Sequence, residues 1–438
     1  MSSSAEILDR LLERIRSRSA PVCVIGQGYV GLPLAVELTA AGYPVIGLEA
    51  DAVRAQRLLD GASYVGDISD ARLREALDAG YTPTDDPAAL AAAEVVLITV
   101  PTPYTKTKQP DLSYVRQAIA AVCDHLQPGR LIVLESTTYP GTTRELMIPA
   151  LESTGMKLGV EFEVAYSPER LEPGNSSHGL RNTPKIVGGA TPLATEMAAA
   201  LYRSVVTEVV AVSSPDTAEM AKLLENTYRH VNIALANEMA RICHELGVDV
   251  WEVIQAAASK PFGFQPFYPG PGVGGHCIPI DPYYLTWKAQ EADQHAPLIA
   301  EAGRVNDGMP EWVVHRVGDA LNRVGRSVAR SRVLIVGVAY KANVGDVRES
   351  PALRVIERLH KKEAILRYHD PYVPEVQANG LQLSSVPLTE EEVRQADCVL
   401  ILTGHRNVDY SLLARESRCI LDTRNAMQAH NAPQVERL

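Results

Sequence analysis

The stretch from Val22 to Asp51, VCVIGQGYVGLPLAVELTAAGYPVIGLEAD, decides the fold. An apolar run, VCVIG, leads into glycines at 26, 28 and 31; a helical stretch follows, and a second run, PVIGLE, closes on Glu49. Strand, G-x-G-x-x-G turn, helix and strand in that order predict a βαβ unit that binds a dinucleotide. Gly26 permits the tight turn, Gly28 lets backbone approach a pyrophosphate, and Gly31 allows close helix–strand packing. The helix N-terminus faces the phosphate charge. Glu49, at the end of the second strand, suits both ribose hydroxyls and repels a 2′-phosphate, which favours NAD over NADP; Asp51 is the weaker candidate, and Arg54 is within reach of the phosphates. A glycine turn in an α/β protein that binds something else is the competing reading, and the agreement of five features in order disfavours it.

Outward from this unit, further short apolar runs, EVVLITV, RLIVLES and FEVAYS, alternate with amphipathic segments, as in a parallel sheet flanked by helices. From Pro215 the strand signal stops, and Met220, Leu223, Leu224, Val231, Leu235, Ile242 and Leu246 recur at helical steps up to Gly247. A helix of that length, about 45 Å at 1.5 Å per residue, exceeds what one small core covers and is expected to link domains and meet a second subunit. RVLIVGVAY, AILRYHDP, DCVLILTG and RCILDT then restart the strand pattern. The expected class is α/β: an N-terminal Rossmann domain over 1–212, a central helical dimerisation domain with the Cys277 loop over 213–309, and a smaller Rossmann-like domain over 310–438.

With 438 residues, 46% of them hydrophobic, the chain is long enough for more than one core. Its apolar runs are far shorter than the about 20 residues that span a bilayer. Ile7, Leu8, Leu11, Leu12 and Ile15 fall at helical spacing among charges of both signs, unlike a signal or transit peptide, so a soluble cytoplasmic protein is expected. Six scattered cysteines without metal-ligand spacing argue against a disulfide framework or zinc site. A net charge of −11 disfavours a general nucleic-acid surface, leaving local basic pockets open to an anionic substrate.

Chemistry concentrates in PGPGVGGHCIPIDP, Pro269–Pro282. Interconverting an alcohol and a carbonyl on a nicotinamide needs no nucleophile, whereas going on to the acid does. A thiolate adds to the aldehyde, the thiohemiacetal loses hydride to become a thioester, and water releases the carboxylate. Cys277 fits that role; Asp281 is placed to orient water or accept a proton, and His276 to influence the thiolate. No companion spacing supports His276 as a metal ligand. Cys23, Cys123, Cys243, Cys398 and Cys419 lie in strand-like or helical stretches and read as small buried residues. Lys222 and Asn226, one helical turn apart, suit stabilisation of oxyanions. From spacing alone a solvated polar stripe running through Arg229 explains them better.

The segments GQGYVGLPLA, VPTP (Val100–Pro103), ESTTYPGTT (Glu135–Thr143), SPERLEPG (Ser167–Gly174), AEMAKLLENTYRHVNIALANE (Ala218–Glu238), GGHCIPIDP (Gly274–Pro282) and GVAYKANVGDVRESPA (Gly337–Ala352) resemble the UDP-glucose/GDP-mannose dehydrogenase family, in order and over nearly the whole chain. The resemblance is strongest to bacterial members that oxidise UDP-N-acetylglucosamine for surface polysaccharides. It implies an NAD-dependent four-electron oxidation of a UDP-sugar at C6 in a homodimer or higher homo-oligomer, with Cys277 as nucleophile and Lys222, Asn226 and Asp281 as companions. It further implies Glu169 in thioester hydrolysis and Thr137 in positioning water. On the same ground Tyr29, Val30, Pro101, Thr102 and Thr137 join the glycines, Glu49 and Arg54 around the cofactor. Glu169, Arg170, Lys222, Asn226, Phe267, Tyr268, Gly274, Lys341 and Arg348 are implied at the sugar nucleotide, with Arg424 as an addition. Two departures stand out. Ile280 replaces the lysine that UDP-glucose members place before the aspartate, and Glu172, Pro173 and Gly174 replace their REG-like element. Ahead of Cys277, an arginine-free run carries Phe262, Phe264, Phe267 and Tyr268, which offer apolar surface to an acetamido methyl, with Arg170 or Gln265 for its amide. Packing of these aromatics against the long helix is the equally weighted alternative until the resemblance tips it toward a 2-acetamido sugar.

Overall fold

The computed structural model describes residues 4–105, 109–170, 179–275, 277–430 and 432–438. The chain divides into two units: residues up to Glu225 with Tyr283–Ala292, and Asn226–Pro282 with Asp293–Leu438.

The first unit is built on β1 (Val22–Ile25), β2 (Val45–Leu48), β3 (Tyr81–Thr84), β4 (Val95–Ile98), β5 (Arg130–Leu134), β6 (Phe162–Tyr166), β7 (Lys185–Gly189) and β8 (Val209–Val212). Their order in the sheet is β3-β2-β1-β4-β5-β6-β7-β8. All pairs are parallel except β6 and β7, where Ala165 faces Gly189 and Tyr166 faces Gly188. Every residue of β1, β4, β5 and β6 is buried, which is why these strands read as largely apolar runs, broken only by the buried Arg130 and Glu163, rather than as alternating ones. Strand order reverses at β1, so the crevice between the carboxyl ends of β1 and β4 is the topological switch point where such sheets bind ligands. The N-terminal helix Ser4–Arg16 buries Leu8, Leu11, Leu12 and Ile15, in one core with Met197, Ala198 and Leu201 of the helix Pro192–Tyr202.

The long helix runs from Pro215 to Leu246 and stops at Gly247, whose φ of +67° is open to glycine at little cost. Through Glu225 it belongs to the first unit, and from Asn226 to the second.

In the second unit β9 (Arg332–Val336), β10 (Ile365–His369), β13 (Cys398–Ile401), β14 (Ile420–Asp422) and β15 (Val435–Arg437) form a parallel sheet ordered β10-β9-β13-β14-β15. Between them, β11 (Glu375–Ala378) and β12 (Leu381–Ser384) pair antiparallel across Asn379-Gly380, both at positive φ as a tight hairpin requires. Helices Pro297–Arg323 and Pro351–Lys361 cover one face, and Glu390–Gln395 and Tyr410–Glu416 the other. The result is the expected second, smaller α/β unit. Strands β3, β7, β8 and β15 and the β11–β12 hairpin are additions to the sequence expectation. Among the described residues no helix is long and apolar enough to cross a membrane.

Candidate active site

The glycine loop separates three roles. Gly26 sits at φ +92°, and a Cβ there would meet the Thr99 carbonyl oxygen at 3.2 Å. At Gly31 a Cβ would lie 1.9 Å from the Gly26 carbonyl oxygen, so only a hydrogen fits. At Gly28 it would meet nothing within 4 Å, which leaves room for a pyrophosphate against bare backbone. Tyr29 and Val30 are half-buried beside it, and the helix Gly31–Ala40 has no side-chain cap on its N-terminus. These residues fit a dinucleotide. Glu49 is buried, and its carboxylate accepts from Gln27 N at 3.1 Å and Asp51 N at 3.2 Å, with the Tyr64 hydroxyl 3.4 Å away. Asp51 instead caps the next helix, accepting from Val53 N and Arg54 N. Arg54 is exposed, with its guanidinium 5.5 Å over the Tyr64 ring. Pro101 and Thr102 follow β4 at the switch point; the Thr102 carbonyl accepts from the Tyr284 hydroxyl at 2.7 Å.

Two loops at the ends of β5 and β6 bring the expected water-handling residues into the same unit. Thr137 is half-buried just beyond β5. Glu169 follows β6, its Oε1 accepting from Arg170 N at 2.6 Å. The Arg170 guanidinium is engaged at both ends, donating to the Pro184 carbonyl at 2.7 Å and pairing with Glu225 of the long helix at 2.8 Å. Glu172, Pro173 and Gly174 lie outside the described residues. Lys222 is buried on the first unit's part of that helix. One turn earlier, Glu219 is fully buried and accepts from Gly141 N (2.6 Å), Thr143 N (2.9 Å) and Thr143 Oγ1 (2.6 Å). Burial pushes its carboxyl up to about 7 against those stabilising donors.

In the second unit, Asn226 donates from Nδ2 to Oδ2 of Asp281, both buried. Asp281 opens the helix Asp281–Glu291, and its N–H donates to the Cys277 carbonyl at 2.8 Å, so the cysteine sits one turn ahead of it. His276 lies outside the described residues. The glycines of this loop serve close contact and, at Gly272 (φ +130°) and Gly275 (φ +91°), a backbone that other residues rarely adopt. A Cβ on Gly274 would come within 2.8 Å of Tyr340 Cβ, one on Gly275 within 2.9 Å of the Tyr340 ring, and one on Gly270 within 2.4 Å of Arg424. The Asn237 side-chain Oδ1, on the long helix, accepts from Gly270 N at 2.9 Å, and Gly275 N donates to the Arg348 backbone carbonyl at 3.2 Å. Lys341 is half-buried, and the Arg348 guanidinium is held by Asp346 at 2.5–2.9 Å. Arg424 donates to the Leu402 carbonyl at 3.0 Å, and desolvation lowers its pKa to about 10.

The aromatic run divides. Phe267 packs edge-on against Tyr228 of the long helix, with centroids 5.6 Å apart, and Tyr268 stacks on Trp251 at 5.8 Å; Phe262 and Phe264 remain exposed. Gln265 accepts from the Tyr228 hydroxyl at 2.8 Å. Sequence reasoning passed over Glu135, Lys185, Tyr202 and Glu219. The signal for Lys185 was a cation opening an apolar run, KIVGG.

Models of the UDP-glucose/GDP-mannose dehydrogenase family match three successive segments: the NAD binding domain at residues 20–206, the central domain at 216–308 and the UDP binding domain at 334–429. The chain is 37% identical over 415 residues to a UDP-N-acetyl-D-mannosamine dehydrogenase of Pyrococcus horikoshii, covering 93% of this chain and 96% of that one. It is 38% identical over 354 residues to a UDP-N-acetyl-D-glucosamine 6-dehydrogenase of Pseudomonas aeruginosa, covering 80% and 83%. A solved structure of the UDP-D-ManNAc dehydrogenase of Pyrococcus horikoshii matches with a TM-score of 0.87 at 35% identity, covering 95% of this chain and 98% of that one.

Proposed function

The chain belongs to the UDP-glucose/GDP-mannose dehydrogenase family and is an NAD-dependent UDP-sugar dehydrogenase, and from that premise we propose that it oxidises C6 of UDP-N-acetylglucosamine from alcohol to carboxylate. The work is done in the cytoplasm by a homodimer, on a three-part plan of 1–212, 213–309 and 310–438, for surface polysaccharide precursors.

The observation that carries the thiol mechanism is the buried Asn226–Asp281 hydrogen bond beside the Cys277 turn. It fixes a carboxylate on the first turn of the helix that Cys277 leads into, where it can take or return the proton of a reacting oxygen. NAD, when bound, accepts hydride in both oxidations. The thiolate of Cys277 adds to the C6 aldehyde, and Lys222 and Asn226, one turn apart on one helix, stabilise the oxyanions. After the second oxidation, Thr137 and Glu169 direct water to the thioester. Tyr29, Val30, Pro101, Thr102, Glu49 and Arg54 hold the dinucleotide. Arg170, Phe267, Tyr268, Gly274, Lys341, Arg348 and Arg424 border the sugar nucleotide.

Support for a 2-acetamido sugar comes from the two relatives above, both named for one. UDP-N-acetylmannosamine is the second reading, favoured by the fuller coverage of the Pyrococcus protein. The deciding experiment measures kcat/KM for UDP-N-acetylglucosamine, UDP-N-acetylmannosamine, UDP-N-acetylgalactosamine and UDP-glucose, and counts NADH formed per sugar. Two NADH and at least a tenfold preference for the first, about 1.4 kcal/mol, are expected. A preference for UDP-glucose overturns the acetamido reading, and a single NADH overturns the four-electron one.

A further inference from the structure

Lys185 opens β7 inside the protein, with its side chain 3% exposed. Its ammonium lies 2.5 Å from Oε2 of Glu135, which is fully buried, and 3.5 Å from Oε2 of Glu169, which is 12% exposed. The other oxygen of Glu135 accepts from the Tyr202 hydroxyl at 2.5 Å, and the Lys185 ammonium stands 5.1 Å from the centre of that ring. Burial alone opposes the charge on Lys185, yet the two carboxylates outweigh it and hold the lysine above its ordinary range. Burial pushes the Glu135 carboxyl up, against the pull of Lys185.

A fold that needed only stability has no use for this arrangement, because each buried ion costs several kcal/mol and apolar side chains of equal volume commonly do as well. What the charges supply is direction. Oε1 of Glu169 takes the Arg170 N–H and Oε2 faces the ammonium, so both oxygens have a donor fixed on the protein side. The plane of the carboxylate, and with it the lone pairs left for another partner, is set by three elements: the end of β5, the start of β7 and the last residue of the helix Pro192–Tyr202.

We propose that Lys185, backed by Glu135 and Tyr202, is a positioning residue for the hydrolytic half of the reaction. The inference rests on the reading of Glu169 as the group that directs water to the Cys277 thioester. In that step water oxygen bonds to the thioester carbon, one water proton passes to the Glu169 carboxylate, and the carbon–sulfur bond breaks with its electron pair on Sγ; nothing is oxidised or reduced. Because Lys185 offsets Glu135, proton uptake by Glu169 takes the buried cluster from one net negative charge to none. Without the lysine the same carboxylate would face Glu135 uncompensated and would lose the ammonium that faces its Oε2.

The test uses the full-length protein with NAD and the sugar nucleotide, quenched during a single turnover, with intact mass reporting the acyl adduct on Cys277. Three variants are compared: Glu169→Gln; the double variant Glu135→Gln/Lys185→Met, which removes the Lys185–Glu135 ion pair and leaves the net charge of the cluster unchanged; and Tyr202→Phe, which removes one hydroxyl. Expected for the double variant is a normal first burst of NADH, an unchanged sugar KM, and an adduct that clears at least about tenfold more slowly than in wild type. Tyr202→Phe is expected to slow clearance by about threefold, since it acts one hydrogen bond further out. If Glu169→Gln accumulates adduct while the other two clear it at the wild-type rate, the positioning role is overturned and Glu169 stands. If Glu169→Gln itself accumulates none, the reading of Glu169 falls and this inference falls with it. Loss of the first burst and of adduct clearance in equal measure would mark the cluster as general scaffolding and also overturn the proposal.

Discussion

Glu219 is ionisable, nearly inaccessible to water, and surrounded by donors that all come from one loop, Gly141 to Thr143. The short π-helical turn Thr143–Met147 has no side-chain cap of its own, so the glutamate serves as its cap from across the chain. Burial lifts its pKa from an ordinary 4.5 to about 7. A carboxyl that binds its proton more tightly when folded contributes stability that is complete below about pH 4.5 and is lost as pH rises through about 7. The total is roughly 3 kcal/mol, of which about 2.5 kcal/mol falls between pH 5 and pH 8. Replacing it by an amide, Glu219→Gln, keeps an acceptor for Thr143 but can turn N–H groups toward the Gly141 N–H, at a pH-independent cost of about 1–3 kcal/mol. The variant should therefore be clearly the less stable at pH 5 and level with wild type, or ahead, at pH 8. Urea unfolding of both proteins side by side at several pH values isolates this one group, because every other titration cancels in the difference. A stability difference that stays within about 0.5 kcal/mol from pH 5 to pH 8 would refute the reasoning.

The glycine loop yields a paired prediction: Gly28→Ala, which meets nothing, should unfold within about 0.5 kcal/mol of wild type but bind NAD at least tenfold more weakly. Gly31→Ala, forced against the Gly26 carbonyl, should lose about 3 kcal/mol or more; calorimetry and NAD titration separate the two. Cys277→Ser should retain both ligands while net acid formation drops at least about a hundredfold, read by carboxylate analysis. Met220, Leu224, Tyr228, Leu235 and Ile242 leave an exposed apolar stripe along the long helix. Leu235→Glu should convert a dimer into monomers in light scattering at micromolar concentration, and a wild type that is already monomeric would remove the basis for that expectation.

Most of the strands that the sequence disclosed are buried on both faces and read as largely apolar runs; β10, disclosed as well, is mostly exposed or half-buried along Ile365–His369. Two of the others, β3 and β7, carry residues with local reasons to be there. Pro83 sits in β3, an edge strand, where its missing N–H costs no ladder bond. In β7, Gly188 and Gly189 dilute the pattern because a Cβ would come within 2.1 Å of the Ser214 carbonyl oxygen and 2.2 Å of Thr195 N. Ser167 to Pro184 joins β6 to an antiparallel neighbour, a reversal that no spacing rule announced. Within the site, the roles of Gly28 and Gly31 follow from spacing alone, since they depend on backbone geometry. Burial of Lys185 and Glu135 does not, because a lone cation in KIVGG and an acid in ESTTYPGTT carry no mark of each other until β5 and β7 fold. Likewise, spacing alone favoured a solvated stripe for Lys222 and Asn226; both side chains are buried.

The fit between the Cys277 loop and Tyr340 and Arg424 bears on how relatives of this protein diverge and how they can be recombined. A Cβ on Gly274 would meet Tyr340 Cβ and the Glu349 carbonyl oxygen, encoded some seventy positions later, so a larger residue there demands room on the facing segment; Gly275 is held to glycine by its φ of +91° as well as by the Tyr340 ring, and Gly270 faces the movable end of Arg424. Substitutions in GGHCIPIDP and GVAYKANVGDVRESPA should thus covary across the family. A chimera made to change sugar preference by exchanging only the C-terminal segment would seat a foreign Tyr340 counterpart against a native glycine turn. Crossovers should instead carry the stretch from Pro269 through Arg424 as one block, so that the reactive loop travels with the surface that moulds it.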